Sequence, residues 1–248
     1  MVSGQKFVNL VGRKLGVVII PEWRAYRLDE ERHLKWLLRY LDVDCVFDVG
    51  ANVGQYAIML RKCAEYRGRI VSFEPNPYAL DTLQAAAARD PNWHVEPIAL
   101  GGAPGTAEFH AYEESVFGSF HDFGVSKHAP KTMGRRTITV PVQTLESYLS
   151  AARQRWNFKR PFLKLDTQGS DVEIAKSAGT SLTEFVGLQS EIAFQTIYEG
   201  TPDYLSALGF YQSAGFFISR IVPINQANFP EVVEMDVIMI RNDFARPR

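Results

Sequence analysis

The stretch Val46-Phe47-Asp48-Val49-Gly50-Ala51-Asn52-Val53-Gly54-Gln55 decides the fold. An apolar run carrying one acid ends in a glycine, and a second glycine precedes residues suited to a helix. Glycine permits a tight strand-to-helix turn and lets a ligand approach the main chain closely. The helix N-terminus beyond it presents free N–H groups that favour a carboxylate or phosphate. A dinucleotide-binding turn would read G-x-G-x-x-G. Here position 52 is Asn and the spacing is Gly50-x-x-x-Gly54, which counts against NAD or FAD. Twenty residues past Gly54 stands Glu74, at the end of Val71-Ser72-Phe73-Glu74 and before Pro75-Asn76-Pro77. An acid so placed takes both hydroxyls of a ribose. Together, Asp48 and Glu74 at successive strand ends point to a nucleoside site.

Outward from this segment, short β-rich apolar runs alternate with amphipathic stretches, the pattern of βαβ units and a mostly parallel sheet. Strands are expected over residues 45–49, 69–74, 93–100, 106–111, 137–142, 162–166 and 186–191. Helices are expected after Asp29, which would cap a face of Leu34, Leu37, Leu38 and Leu41, and over 77–89, around 145–152, after Ser170 and over 203–214. Residues 216–222 and 232–241, joined by a Pro/Asn-rich loop, read as an antiparallel edge pair. Residues 112–136 have no sustained period and form the candidate lid or recognition segment. The expected organisation is an N-terminal extension over 1–28 and one domain over 29–248, the insert included.

The 248 residues are 46% hydrophobic and 22% charged, the profile of a packed chain and not of a disordered one. Lys and Arg number 27 against 28 Asp and Glu, which offers no electrostatic footprint for nucleic acid. Cys45 and Cys63 belong to no CxxC pair or zinc spacing and read as small core residues. The apolar run Leu15 to Ile20 is too short to span a bilayer, so a cytoplasmic protein is expected. Eight basic residues against four acids in the first 40 read as a solvated face.

Asp48 to Gln55 followed by Ser72 to Pro77 resembles the S-adenosylmethionine site of the seven-stranded, Rossmann-like methyltransferases. Further blocks narrow the likeness to the FkbM family: Ala99-Leu100-Gly101-Gly102, residues 140–149 (VPVQTLESYL), Leu163-Lys164-Leu165-Asp166-Thr167-Gln168-Gly169-Ser170-Asp171-Val172-Glu173, and Leu188-Gln189-Ser190-Glu191 with Ile197-Tyr198-Glu199-Gly200 beyond it. They run in a consistent order over roughly residues 30–240. The resemblance implies an α/β fold with a seven-stranded mostly parallel sheet, an antiparallel C-terminal pair and helices on both faces. It also implies methyl transfer from S-adenosyl-L-methionine, usually to a hydroxyl of a small molecule such as a sugar, glycolipid or polyketide. By the same resemblance Gly50, Ala51, Asn52 and Gly54 form the methionine-side loop with Asp48 near the amino group. Glu74 with Asn76 beside it holds the ribose, and Ala99 borders the adenine. Many family members carry Glu where this chain has Gln168, a change that removes a possible general base.

In an open sheet ligands bind outside the carboxyl ends of the strands, so Asp48, Glu74, Asp166 and Glu191 should face one crevice. Asp166 reads either as an N-cap on the helix after Ser170 or as a base for an alcohol acceptor. Glu191 and Gln168 are further catalytic candidates, and His121 is the best of the histidines in or beside the irregular segment. No cluster has the spacing that requires a metal, although magnesium, which needs only one or two carboxylates, stays open. Three functions compete: an O-methyltransferase, a noncatalytic S-adenosylmethionine-binding module, and a nucleotide-dependent oxidoreductase of similar fold, which Asn52 argues against. The expected partner is a small hydroxyl-bearing acceptor and not nucleic acid. Trp23 and Tyr26 read equally as a cover for the site or as a homodimer contact.

Overall fold

The computed structural model describes residues 22–112, 118–121, 135–224 and 230–244, with side chains from Arg27 onward. Most of the 1–28 extension and of the 112–136 insert, including His128 and the side chains of Trp23 and Tyr26, lies outside the described residues.

A seven-stranded sheet runs in the order β3 (Trp93–Glu96), β2 (Arg69–Phe73), β1 (Cys45–Val49), β7 (Pro161–Leu165), β8 (Gly187–Ala193), β10 (Glu234–Arg241), β9 (Phe216–Ile224). All neighbours from β3 to β8 are parallel, and β10 is antiparallel to both β8 and β9. The chain builds outward from β1 to β3 and then returns to β7 on the other side of β1. The strand order therefore reverses between β1 and β7, and the crevice beyond that reversal is where an open α/β sheet holds its ligand.

Successive strand residues face opposite sides of the sheet, and the two resulting cores divide β1 between them. Val46 packs with Leu34, Leu37, Leu60 and Leu83 from α1 (Glu22–Tyr40), α2 (Gln55–Lys62) and α3 (Pro77–Ala87). Phe47 and Val49 pack with Leu149, Ile174 and Tyr211 from α4 (Leu145–Trp156), α5 (Asp171–Lys176) and α6 (Tyr204–Ser213). Helices thus cover both faces, as expected. Asp48 has the parity of Val46 and turns toward the α1–α3 side.

Three local expectations are corrected. Asp29 is not a cap: α1 already runs at Glu22 and passes through Asp29, whose carboxylate pairs with Arg220 at 3.0 Å. No glycine or proline interrupts residues 22–40, so nothing stops the helix at position 29. The strand expected over 93–100 ends at Glu96, because Pro97 cannot donate to the ladder. Beyond it β4 (Ala99–Leu100) joins a separate sheet in the order β4, β6 (Arg136–Gln143), β5 (Gly105–Ala111). The 106–111 and 137–142 runs thus stand outside the main sheet. Cys45 is buried, while Cys63 is only half-buried just past α2.

Candidate active site

A cavity of about 440 Å³ lies at the carboxyl ends of β1, β2, β7 and β8. Its floor is the turn after β1. Gly50 adopts φ +74°, and a Cβ there would overlap the Asp166 carbonyl oxygen, so only glycine lets the chain leave β1 across the end of β7. Gly54 has φ +88°, and a Cβ there would meet Leu83 and Trp93 side-chain atoms at 2.9 Å. Between them Asn52 is also left-handed at φ 47°. The turn's own amides are engaged inside the protein. Gly50 and Ala51 donate to the Phe73 carbonyl at 3.1 and 3.0 Å, and Gly54 donates to Ala51 at 2.8 Å. The first two hold the turn against β2, and the third closes the turn on itself.

Glu74 follows β2 and is 5% exposed. Its carboxylate accepts from the Asn52 amide at 2.6 Å and the Asn76 amide at 2.7 Å, which aims it into the cavity and leaves a lone pair on each oxygen. Burial pushes its pKa up to about 7 against the pull of those two amides. Beside it Ile98, Ala99 and Leu100 form an uncharged wall, faced by Phe109 and Phe120, which meet edge to face.

Three residues after β7 and on β8 form a second constellation. Gln168, in the left-handed region at φ 53°, donates its amide to Asp166 Oδ1 at 3.2 Å and to Glu191 Oε2 at 3.0 Å, and its carbonyl oxygen accepts from the Tyr198 hydroxyl. A Glu at position 168 would bring a third carboxylate to two others; the Gln supplies the donor both need. Asp166 Oδ2 faces the Lys164 ammonium at 3.4 Å. Burial, followed by the Asp166 charge, holds the Glu191 carboxyl well above its ordinary range. No hydrogen bond among the described residues reaches Glu191 Oε1. Asp171 supports the group from below, accepting from Thr167 N and Oγ1, Ser190 Oγ and the Glu191 amide.

Of the sequence candidates, Gly50, Ala51, Asn52, Glu74, Ala99, Asp166, Gln168 and Glu191 line this one cavity. Asp48, Gly54, Asn76 and His121 do not. Asp48 is fully buried within β1, where it accepts from Ser72 Oγ at 3.1 Å and pairs with Lys164 at 3.2 Å. It is a strand-interior charge, not the solvent-facing strand end expected. Asn76 caps α3, accepting from the Tyr78 amide at 3.1 Å, and supports the site only through its N–H to Glu74. His121 hangs from Ser119 by its backbone amide, its ring near Gly169. Asp166 caps nothing: Ser170 stands at the N-cap of α5.

Sequence reasoning missed Lys164, Glu30, Gln189 and Asp236, all of which line the cavity. Gln189 accepts from Tyr56 at 3.0 Å and donates to Glu30 at 2.9 Å, tying α1 to the sheet. Burial, with Glu30 and Asp166 adding repulsion, pushes Asp236 up to about 8. The β10 strand reaches the site only because it inserts beside β8, which no local pattern announces.

A family model for the methyltransferase FkbM domain matches residues 48–218. No curated protein matches the chain. Among solved structures, a methyltransferase FkbM from Methylobacillus flagellatus KT is similar at TM-score 0.49 and 15% identity, covering 80% of this chain and 44% of its own. The Methanococcus jannaschii fibrillarin pre-rRNA processing protein is similar at TM-score 0.47 and 13% identity, covering 80% and 66%. The magnesium protoporphyrin IX methyltransferase of Synechocystis PCC 6803, solved with bound SAM, is similar at 0.43 and 10%, covering 89% of each. The chain thus spans less than half the length of the first of these. The cavity's own chemistry fits an adenosyl cofactor: a buried carboxylate for a diol, an uncharged wall for a neutral ring, and a turn that no side chain obstructs. The chain belongs to the FkbM-domain methyltransferase family, with S-adenosyl-L-methionine as its cofactor.

Proposed function

We propose that this protein is an S-adenosylmethionine-dependent O-methyltransferase acting on a hydroxyl of a small molecule. One observation carries the reading: a single cavity joins Glu74 and the Ala99 wall at one end to the Asp166–Gln168–Glu191 group at the other. The cofactor, when bound, supplies an electrophilic methyl group. Glu74 would accept hydrogen bonds from the ribose hydroxyls, Ile98, Ala99 and Leu100 would pack against the adenine, and the Gly50–Asn52 turn would hold the methionine end. Acceleration then comes chiefly from holding the acceptor oxygen in near-attack geometry.

The hydrogen bonding favours Glu191 over Asp166 as proton acceptor. Both Asp166 oxygens are engaged, by Gln168 and Lys164, whereas no hydrogen bond among the described residues takes Glu191 Oε1, and Glu191 lines the cavity. Burial raises the Glu191 pKa, and a carboxylate, while ionised, accepts a proton more readily as its pKa rises. Gln168 then serves as the amide that holds the two carboxylates apart, so the loss of an acid at this position does not argue for a noncatalytic module.

The test is transfer of labelled methyl to a panel of hydroxylated sugars, glycolipids and polyketides. Glu191→Gln should lower turnover on the order of 100-fold with cofactor affinity nearly unchanged. Label appearing on nitrogen or carbon acceptors alone, or undiminished turnover in the variant, would overturn the reading.

A further inference from the structure

Lys164 is the least expected charge in the chain. It sits in β7, whose five residues Pro161–Leu165 are all buried, and lysine is almost never fully buried unless paired. The residue nevertheless lines the cavity. It donates to the Gly50 carbonyl at 3.0 Å and reaches the Val49 carbonyl at 3.4 Å. It also faces Asp48 at 3.2 Å and Asp166 at 3.4 Å, with the Tyr56 ring 5.4 Å away. Burial alone would drive the proton off, but the Asp166 and Asp48 carboxylates outweigh it and hold the group charged.

A buried ion pair is seldom a gain over two apolar residues, and neutralising Asp48 would need no contact with the turn. The additional reach is to Gly50 and Asp166, both of which line the cavity. Gly50 lies pressed against the Asp166 backbone, so its orientation depends on what holds its own carbonyl. We propose that Lys164 is a positioning residue of the cofactor site: its ammonium clamps the Gly50 turn of β1 to β7 and holds the Asp166 carboxylate beside it, presenting both as one unit to the methionine end of the cofactor. This rests on the cofactor reading above.

The test combines thermal melting with calorimetric titration of S-adenosylhomocysteine and S-adenosylmethionine, using the parent, Lys164→Met and the double variant Lys164→Met/Asp48→Asn. The single variant leaves Asp48 buried without its cation and should melt lower. The double variant removes both buried charges and should regain most of the melting temperature. Its affinity for S-adenosylhomocysteine should nevertheless stay about tenfold or more below the parent, the loss of a charged hydrogen bond at the turn. In the single variant S-adenosylmethionine should weaken less than S-adenosylhomocysteine, because an ammonium that repelled the sulfonium charge is gone. Parent-like affinity in the double variant, or equal weakening of both ligands in the single one, would overturn the assignment alone. Failure of the parent to bind either ligand would overturn the cofactor reading and this assignment with it.

Discussion

Asp48 and Glu74 look alike in sequence, yet burial gives them opposite tasks. Asp48 is fully buried against Lys164, so Asp48→Ala should destabilise the fold by roughly 3–5 kcal/mol, measured by urea unfolding, and any loss of cofactor binding should follow from that. Glu74 faces the cavity, and burial pushes its carboxyl up to about 7. Its folded pKa lies above the ordinary 4.5, so the ligand-free protein is favoured at low pH and loses that advantage as pH rises through 7. In the proposed cofactor site the ionised form is the one that would accept two ribose hydroxyls. Affinity for S-adenosylhomocysteine should therefore rise about tenfold between pH 6 and 8, and Glu74→Gln should bind weakly with no such slope. A flat profile in the parent would show that Glu74 is ionised throughout or does not touch the ribose. Sequence brought the Glu74 acid to the cavity because it stands just past a strand end. It misplaced Asp48, because a charge inside a strand reads like one at its end until its partner across the sheet is known.

At the scale of elements, the junction of β1 with β7 is the rigid part of the site. Gly50→Ala sets a Cβ against backbone, and Gly54→Ala sets one against the buried side chains of Leu83 and Trp93, at a longer distance. The first should cost more than about 2 kcal/mol and abolish S-adenosylhomocysteine binding, while the second should cost less and retain binding. Equal effects would mean that the close approach to Asp166 is not what demands glycine. Strands with clean apolar runs were legible, as was the start of α3 at Pro77. The start of α1 was not, since Asp29 looks like a cap when its Arg220 partner is 191 positions away. The change of sheet at Pro97 was not legible either: a proline marks a break but not where the chain goes next.

For the whole molecule, the strand-order reversal between β1 and β7 gathers groups from distant parts of the sequence into one cavity. Gly50, Glu74 and Asp166 were legible because each directly follows a strand. Glu30 and Asp236 were not, because they arrive through α1 and through the insertion of β10 beside β8. Among the described residues no helix is long and apolar enough to cross a membrane. The central claim is that this cavity is an adenosyl-cofactor site. Calorimetric titration with S-adenosylhomocysteine, using NAD as control, tests it without knowledge of the acceptor. An adenosyl-cofactor site gives saturable binding of S-adenosylhomocysteine alone, with affinity rising from pH 6 to 8. No binding, or equal binding of NAD, would contradict it.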